Sequence, residues 1–162
     1  MKKLFLLLLF VPLVSFGQNE DVKKNEKETD LSLNGVVITG VKQKIKNGAD
    51  YIITQMFFDN QKFFDFVAKC RTAGITVPII PGLKPLATVK QLNLIPHRFK
   101  VDLPDELIKE VVRAKNNEAV SQIGTEWCVS QSKQLIEAGI PVLHYYSMGK
   151  ANNIRAIAKQ VF

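Results

Sequence analysis

The sequence contains few of the residues from which metal centres and disulfide frameworks are built. It has two cysteines, Cys70 and Cys128, and two histidines in 162 residues, and neither cysteine has a second ligand at the spacing of a zinc site. We therefore expect two buried, reduced thiols. The HExxH, Walker A, CxxC and Ser-His-Asp patterns are also missing, so the chain lacks the signatures of zinc proteases, P-loop proteins, thiol oxidoreductases and serine hydrolases.

The charge is only mildly unbalanced. Twenty-two Lys and Arg residues against fifteen Asp and Glu residues give a net charge of +7. The basic residues are scattered and no aromatic platform accompanies them, so the sequence predicts no nucleic-acid partner. A composition that is 46% hydrophobic and 23% charged is that of an ordinary globular protein and excludes a disordered or collagenous chain.

The first 17 residues have the pattern of an export signal. Met1-Lys2-Lys3 is basic, Leu4 to Val14 is an apolar run too short to span a bilayer, and small residues follow at Ser15 to Gly17. Pro12 interrupts the run and disfavours the alternative, a buried helix. No cysteine follows the cleavage site, so we expect no stable membrane anchor after cleavage. This segment predicts a periplasmic or secreted protein.

A polar linker and then the folded domain are expected after the signal. Residues 18–34 are charged, mixed in sign and without hydrophobic periodicity, so they cannot bury enough apolar surface to offset their ordering entropy. Residues 35–162 must hold the core.

The domain alternates predicted strands and helices. Strands are predicted at residues 51–58, 75–81, 98–103 and 142–146, and helices from about 61, 88, 104, 118 and 152. The junctions Ala73-Gly74-Ile75 and Ala138-Gly139-Ile140 repeat the same helix-to-strand connection. Repeated βα units joined by right-handed crossovers predict a parallel sheet with helices outside.

The length of the domain limits which parallel fold it can form. A complete (βα)8 barrel needs about 250 residues, so residues 35–162 suffice for about four βα units. The sequence predicts an α/β protein with a partial (βα)8 TIM-type barrel. An open flavodoxin-like sheet is the alternative, but the glycine-rich phosphate loop that often follows its first strand is missing.

Three segments resemble a known enzyme family. They are Ile53-Thr54-Gln55-Met56-Phe57-Phe58-Asp59, Ile79-Ile80-Pro81-Gly82-Leu83-Lys84-Pro85 and His144-Tyr145-Tyr146-Ser147-Met148. Their order and spacing are similar to the carboxy-terminal half of the methylenetetrahydrofolate reductase barrel, from about Val41 to Phe162. The resemblance implies a cytoplasmic FAD enzyme that uses NAD(P)H to reduce 5,10-methylenetetrahydrofolate to 5-methyltetrahydrofolate, in the one-carbon metabolism that serves methionine synthesis.

The resemblance also implies site residues. Gln55 and Gln91 match glutamines that contact folate, and Ile95 stands where some members have an aromatic residue that packs on the substrate. Lys150 falls where the family often has a substrate-binding arginine, and Lys44 matches a lysine near the FAD phosphates. From the residues alone, the alternative for Gln55 is a buried amide satisfied by neighbouring backbone, Gln91 is an exposed helical residue, and Lys44 is equally explained as part of a solvated helix face.

The resemblance implies no catalytic residue in this chain. The family's general acid and its flavin-tuning aspartate belong to the half of the barrel that has no counterpart here. Half a barrel exposes two strand edges, which predicts a homo-oligomer or a separate amino-terminal half as partner. Two other functions stay open, an exported ligand-binding module without catalysis and a non-functional fragment.

Overall fold

The computed structural model describes residues 37–149 and 151–162, in which helices and strands alternate. Residues 37–46 form helix α1. The other elements are β1 (Ile52–Met56), α2 (Asn60–Thr72), β2 (Ile79–Leu83), α3 (Gln91–Phe99), α4 (Asp105–Arg113), α5 (Asn117–Glu137), β3 (His144–Tyr145) and α6 (Asn152–Val161). The predicted signal segment (1–17), the predicted linker (18–34) and Lys150 lie outside the described residues.

The three strands form one parallel sheet in the order β1-β2-β3. Ile52 is in register with Ile79, and Gly82 with His144. The unit β1-α2-β2 is a βαβ crossover, while α3, α4 and α5 all lie between β2 and β3. Within the described residues, the outer edges of β1 and β3 pair with no further strand. This arrangement confirms the α/β class and the partial barrel.

The predicted strand at residues 98–103 is wrong, so the described sheet has three strands where four were expected. Helix α3 continues through Pro96 to Phe99 and ends at Lys100, whose φ of 55° is left-handed and whose N–H donates to the Pro96 carbonyl at 3.0 Å. Ile95 and Phe99 pack into an apolar cluster with α4 and α5. Packing of the helix therefore overrides the strand propensity of this segment.

Strand β2 begins later than the sequence predicts. The Arg71 guanidinium donates to the carbonyls of Ile75 and Val77 at 2.7 and 3.0 Å, and the Ile75 N–H donates to the Cys70 carbonyl at 3.0 Å. These backbone groups are occupied by the end of α2 and cannot pair with β1. The strand therefore starts at Ile79 and places Lys84 just beyond its carboxyl end.

Helix α5 packs directly on the loop that follows β2. A Cβ atom placed on Gly124, in the middle of α5, would lie only 2.6 Å from the backbone nitrogen of Leu86 and 2.8 Å from its carbonyl carbon. Only glycine allows this separation between helix and loop. No helix in residues 37–149 or 151–162 has the length and apolar character of a membrane span.

The prediction of buried, reduced cysteines is confirmed. Cys70 and Cys128 are both free and buried. Burial raises the pKa of the Cys70 thiol, with a small opposing effect of Arg71. Burial also raises the pKa of Cys128 to about 12, although a hydrogen bond with Ser132 acts against this shift. Both side chains are neutral thiols at physiological pH and serve as packing residues.

Candidate functional site

A cavity of about 460 Å³ lies at the carboxyl ends of the strands. This is the end of a parallel βα fold at which ligands usually bind. Its wall is formed by the ends of all three strands, by α3 and by the segment after β3: Gln55, Met56, Lys84, Gln91, Leu94, Ile95, Arg98, Phe99, Tyr146 and Met148.

Gln55 lies near the end of β1 and is half-buried in the cavity wall. Its Oε1 accepts a hydrogen bond from the Met56 N–H at 3.1 Å. Neighbouring backbone therefore satisfies the oxygen end of the amide, while the Nε2 end makes no hydrogen bond with the described part of the chain. Because an Nε2 group carries two donors, Gln55 has hydrogen-bonding capacity left for a ligand.

Gln91, the first residue of α3, lines the same cavity. Its Oε1 accepts from the N–H groups of Ala87 and Thr88 at 2.7 and 3.2 Å, so the carboxamide caps the turn before the helix. Helix α3 begins three residues later than the predicted start at about residue 88, with Lys90 as its N-cap. The capping contacts orient Gln91 in the cavity wall.

The five site residues implied by the resemblance are only partly brought together. Gln55 and Gln91 meet in one cavity, and Ile95, 1% exposed, forms an apolar part of its wall. Lys44 is half-buried on α1 and does not line this cavity. Lys150 lies outside the described residues.

Lys84 is a cavity residue that the sequence analysis missed. It directly follows β2, is only 9% exposed and lines the cavity. Burial lowers the pKa of its ammonium group, since desolvation disfavours the charged form. The sequence did contain a signal for this residue, because Lys84 stands directly between an apolar strand and Pro85. A lysine in that position is expected to lie at the buried end of the strand.

Tyr146 and Gly82 join the three strands beneath the cavity. The pairing of β1 and β2 is irregular between Ile53 and Met56. Here the Gly82 N–H donates to the Thr54 Oγ1 at 3.0 Å, and the Tyr146 hydroxyl donates to the Thr54 carbonyl at 3.0 Å. Burial raises the pKa of Tyr146, so the phenol stays protonated and keeps this bond at neutral pH.

Three acidic residues, Asp59, Asp102 and Glu126, do not line this cavity. Asp59 caps α2 by accepting from the Gln61 N–H, and Asp102 pairs with Lys62 on the surface. Glu126 accepts from Gln122 on an exposed face of α5. No carboxylate is among the residues that line the cavity, so the described residues provide no general acid there.

A second cavity, of about 490 Å³, lies between the start of α2 and helix α5. The Asn60 Nδ2 donates to the Gln131 carbonyl at 3.1 Å and to the Gln134 Oε1 at 2.9 Å, and the Trp127 Nε1 donates to the Phe58 carbonyl at 3.0 Å. These polar groups bind one another and fix α5 against the end of β1. We assign them a structural role.

Comparison with known proteins identifies the relatives of this fold. A solved structure of a Clostridium thermocellum protein that binds two copies of 5-methyl-5,6,7,8-tetrahydrofolic acid superposes with a TM-score of 0.52 and 20% sequence identity, covering 82% of this chain and 49% of that one. This similarity supports the partial-barrel fold.

Curated relatives are similar in sequence over most of this chain. A probable methylenetetrahydrofolate reductase (NADPH) from Caenorhabditis elegans is 34% identical over 123 residues, which are 75% of this chain and 19% of that protein. The Zea mays methylenetetrahydrofolate reductase (NADH) 1 is 37% identical, with coverages of 67% and 18%. The 5,10-methylenetetrahydrofolate reductase of Salmonella typhimurium is 30% identical, with coverages of 74% and 41%.

The chain therefore spans about a fifth of these eukaryotic relatives and about two fifths of the bacterial one. The methylenetetrahydrofolate reductase family profile matches residues 25–161, so the similarity begins upstream of Val41, where the sequence analysis placed its start. With this match over most of its length, the chain belongs to the methylenetetrahydrofolate reductase family.

Proposed function

We propose that this chain is the folate-binding part of a methylenetetrahydrofolate reductase, which reduces 5,10-methylenetetrahydrofolate to 5-methyltetrahydrofolate with NAD(P)H. One observation carries the proposal. Gln55 from β1 and Gln91 from α3, the two residues matched to folate-contacting glutamines, line a single cavity at the carboxyl ends of the strands.

The chemistry of the cavity suits a folate. Its volume of about 460 Å³ lies within the usual range for small-molecule sites, about 300 to 1,000 Å³. The Gln55 amide can donate to acceptors at the edge of a pterin ring. Leu94, Ile95 and Phe99 offer an apolar wall to the aromatic rings, and Arg98 adds a positive charge at the same wall.

The described residues do not form an FAD site by themselves. Lys44, the residue matched to the flavin phosphates, does not line the cavity, and no acid there can protonate a substrate. When bound, FAD would supply the hydride chemistry. The complete reaction needs further strands that carry the acid and the rest of the flavin site.

A separate amino-terminal half would supply those strands, whereas a second copy of the chain would cover the open strand edges without supplying the acid. The outer edges of β1 and β3 are unpaired within the described residues, and an apolar hollow of about 270 Å³ lies beside β1, bordered by Val37, Phe57 and Phe66. Open strand edges favour pairing with another chain. We include this association in the proposed function.

The role of Gln55 is tested by the variant Gln55→Ala. Loss of an amide donor to the ligand is expected to weaken 5-methyltetrahydrofolate binding about fivefold, since such a hydrogen bond contributes about 1 kcal/mol. Isothermal titration calorimetry measures the change. Gln160→Ala is the control, because Gln160 is exposed on α6 and bonds only within its own helix. Equal affinities of Gln55→Ala and wild type would contradict the role of Gln55, and a wild-type chain that binds no folate would contradict the proposal.

The association is tested by incubating the full chain with FAD and recording visible absorbance after gel filtration. We expect flavin in fractions of oligomeric mass and none in fractions of monomeric mass, because the described residues of one chain lack a complete flavin site. Flavin that elutes with the monomer would show that association is not required. Oligomers that remain colourless would contradict the pairing of two copies as a route to the cofactor site.

A further inference from the structure

The ammonium group of Lys84 has no partner within the described residues. The residue as a whole is 9% exposed and lines the cavity. It makes no hydrogen bond or ion pair with residues 37–149 or 151–162, where the salt bridge joins Lys62 and Asp102 at the surface. No side-chain nitrogen or oxygen of these residues is both buried and without a hydrogen-bond partner, so the Lys84 Nζ is open to the cavity. A partly buried charge that is not paired is unfavourable, and a ligand in the cavity can pair with it.

The backbone around Lys84 is held rigidly. Gly82, Leu83, Pro85 and Leu86 are buried, and the loop is pressed against α5 at Gly124. The position of the Lys84 backbone is thus set by the sheet on one side and by a helix on the other. A cation held this way resembles a preorganised ligand contact rather than a mobile surface lysine.

We propose that Lys84 is a specificity-determining residue that pairs with a negatively charged oxygen of the bound ligand. With folate as ligand, the inference rests on the proposed function: the glutamyl carboxylates carry such oxygens, and the neutral lactam of the pterin ring offers a carbonyl oxygen with a partial negative charge. The charges of the cavity agree, because its lining contains two cations, Lys84 and Arg98, and no carboxylate.

Pairing at Lys84 links ligand binding to pH. Burial lowers the pKa of Lys84 in the ligand-free protein, and an anion beside it reverses this shift. The other charged or titratable groups of the lining are Arg98 on α3 and Tyr146 after β3, and burial raises the pKa of Tyr146; the end of β1 contributes none. Affinity should therefore fall as pH rises through the lowered pKa of Lys84, and binding should take up protons near that pH.

The test compares Lys84→Met with Lys90→Met in the full chain. Methionine keeps the length and removes the charge, and Lys90 is an exposed lysine at the start of α3. We expect Lys84→Met to bind 5-methyltetrahydrofolate about 10- to 100-fold more weakly than wild type, as for the loss of a charge-assisted hydrogen bond. Lys90→Met should bind within about twofold of wild type. Proton uptake, measured by calorimetry in two buffers, should disappear in Lys84→Met.

The dimethyl ester of 5-methyltetrahydrofolate distinguishes the two oxygen sources. If a glutamyl carboxylate is the partner, the ester will bind equally weakly to wild type and to Lys84→Met. If the lactam oxygen is the partner, the ester will retain the full difference between the two proteins. Thermal unfolding shows that the variant is folded, and its midpoint should equal or exceed that of wild type because an unpaired, partly desolvated charge has been removed.

A second pair of probes separates this inference from the proposed function. If a glutamyl carboxylate is the partner, anionic 4-aminobenzoylglutamate should bind wild type more tightly than neutral 4-aminobenzamide, and the preference should vanish in Lys84→Met. If that preference is seen without 5-methyltetrahydrofolate binding, only the proposed function fails. If Lys84→Met binds 5-methyltetrahydrofolate within about twofold of wild type, only the inference about Lys84 fails. If wild type binds neither anion, both fail.

Discussion

Replacing Gly124 by alanine is expected to lower the free energy of unfolding by about 3 kcal/mol or more. The added Cβ would lie 2.6 Å from the backbone nitrogen of Leu86 and 2.8 Å from its carbonyl carbon. Backbone atoms cannot rotate away as a side chain can, so α5 and the loop after β2 would have to separate. Overpacking typically costs about 1 to 3 kcal/mol, and a small domain has only about 5 to 15 kcal/mol in total. Urea denaturation followed by circular dichroism measures the loss.

Gly40→Ala provides the matched control for this prediction. Gly40 is also a helical glycine, in α1, and a Cβ there would meet no atom within 4 Å. Alanine has the higher helix propensity at both positions, by about 1 kcal/mol, so Gly40→Ala is expected to stabilise the protein slightly. A Gly124→Ala chain as stable as wild type would show that α5 does not lie against the loop as described.

Replacing Gly82 by alanine is expected to damage both the sheet and the cavity. The new Cβ would overlap the Thr54 carbonyl oxygen of β1 and lie 2.7 Å from a ring carbon of Tyr146. Because Tyr146 lines the cavity, its displacement should reduce folate affinity by 10-fold or more, with a loss of stability of about 2 to 3 kcal/mol. Calorimetric titration and urea denaturation of the same preparation measure the two effects.

The variant Tyr146→Phe distinguishes the effect of the Tyr146 hydroxyl from that of its ring. This variant removes the 3.0 Å bond to the Thr54 carbonyl but keeps the ring in place, so a stability loss of only about 1 kcal/mol is expected. Folate affinity should then stay close to that of wild type. If Gly82→Ala behaves like Tyr146→Phe, the overlap at position 82 is relieved by small shifts and the ring does not shape the cavity.

Elements that depend on local signals were predicted well from the sequence. The predicted helix from Asn152 to Val161 has the observed limits, and α4 begins after Pro104 as expected, with Asp105 and Glu106 in its first turn. Proline at a helix start and acids in the first turn act within a few residues. Such signals do not depend on the rest of the fold.

Features that depend on distant contacts were predicted poorly. The start of β2 is set by the Arg71 side chain, which occupies the carbonyls of Ile75 and Val77. The segment after His97 stays helical because Phe99 packs against other helices. Neither contact is visible in local periodicity. The prediction therefore placed the start of β2 too early and added a strand at residues 98–103.

The same distinction between local signals and distant contacts applies to the candidate site. Gln55 and Gln91 were found through the resemblance, and their shared cavity requires only that β1 and α3 lie at the same end of the sheet. Lys84 was missed because its burial depends on the register of β2 and on the approach of α5 to Leu86. Whether a charged residue of such a motif is buried, and so can serve in the cavity, is decided only by this packing.

The irregular pairing of β1 and β2 restricts how this site can evolve. The Thr54 hydroxyl accepts from the Gly82 N–H, the Thr54 carbonyl accepts from Tyr146, and the ring of Tyr146 occupies the space that any side chain at position 82 would need. Serine is the natural replacement that keeps the hydroxyl at position 54. Substitutions at positions 54, 82 and 146 are therefore coupled, and a lineage that retains the cavity would have to change them together or leave them unchanged.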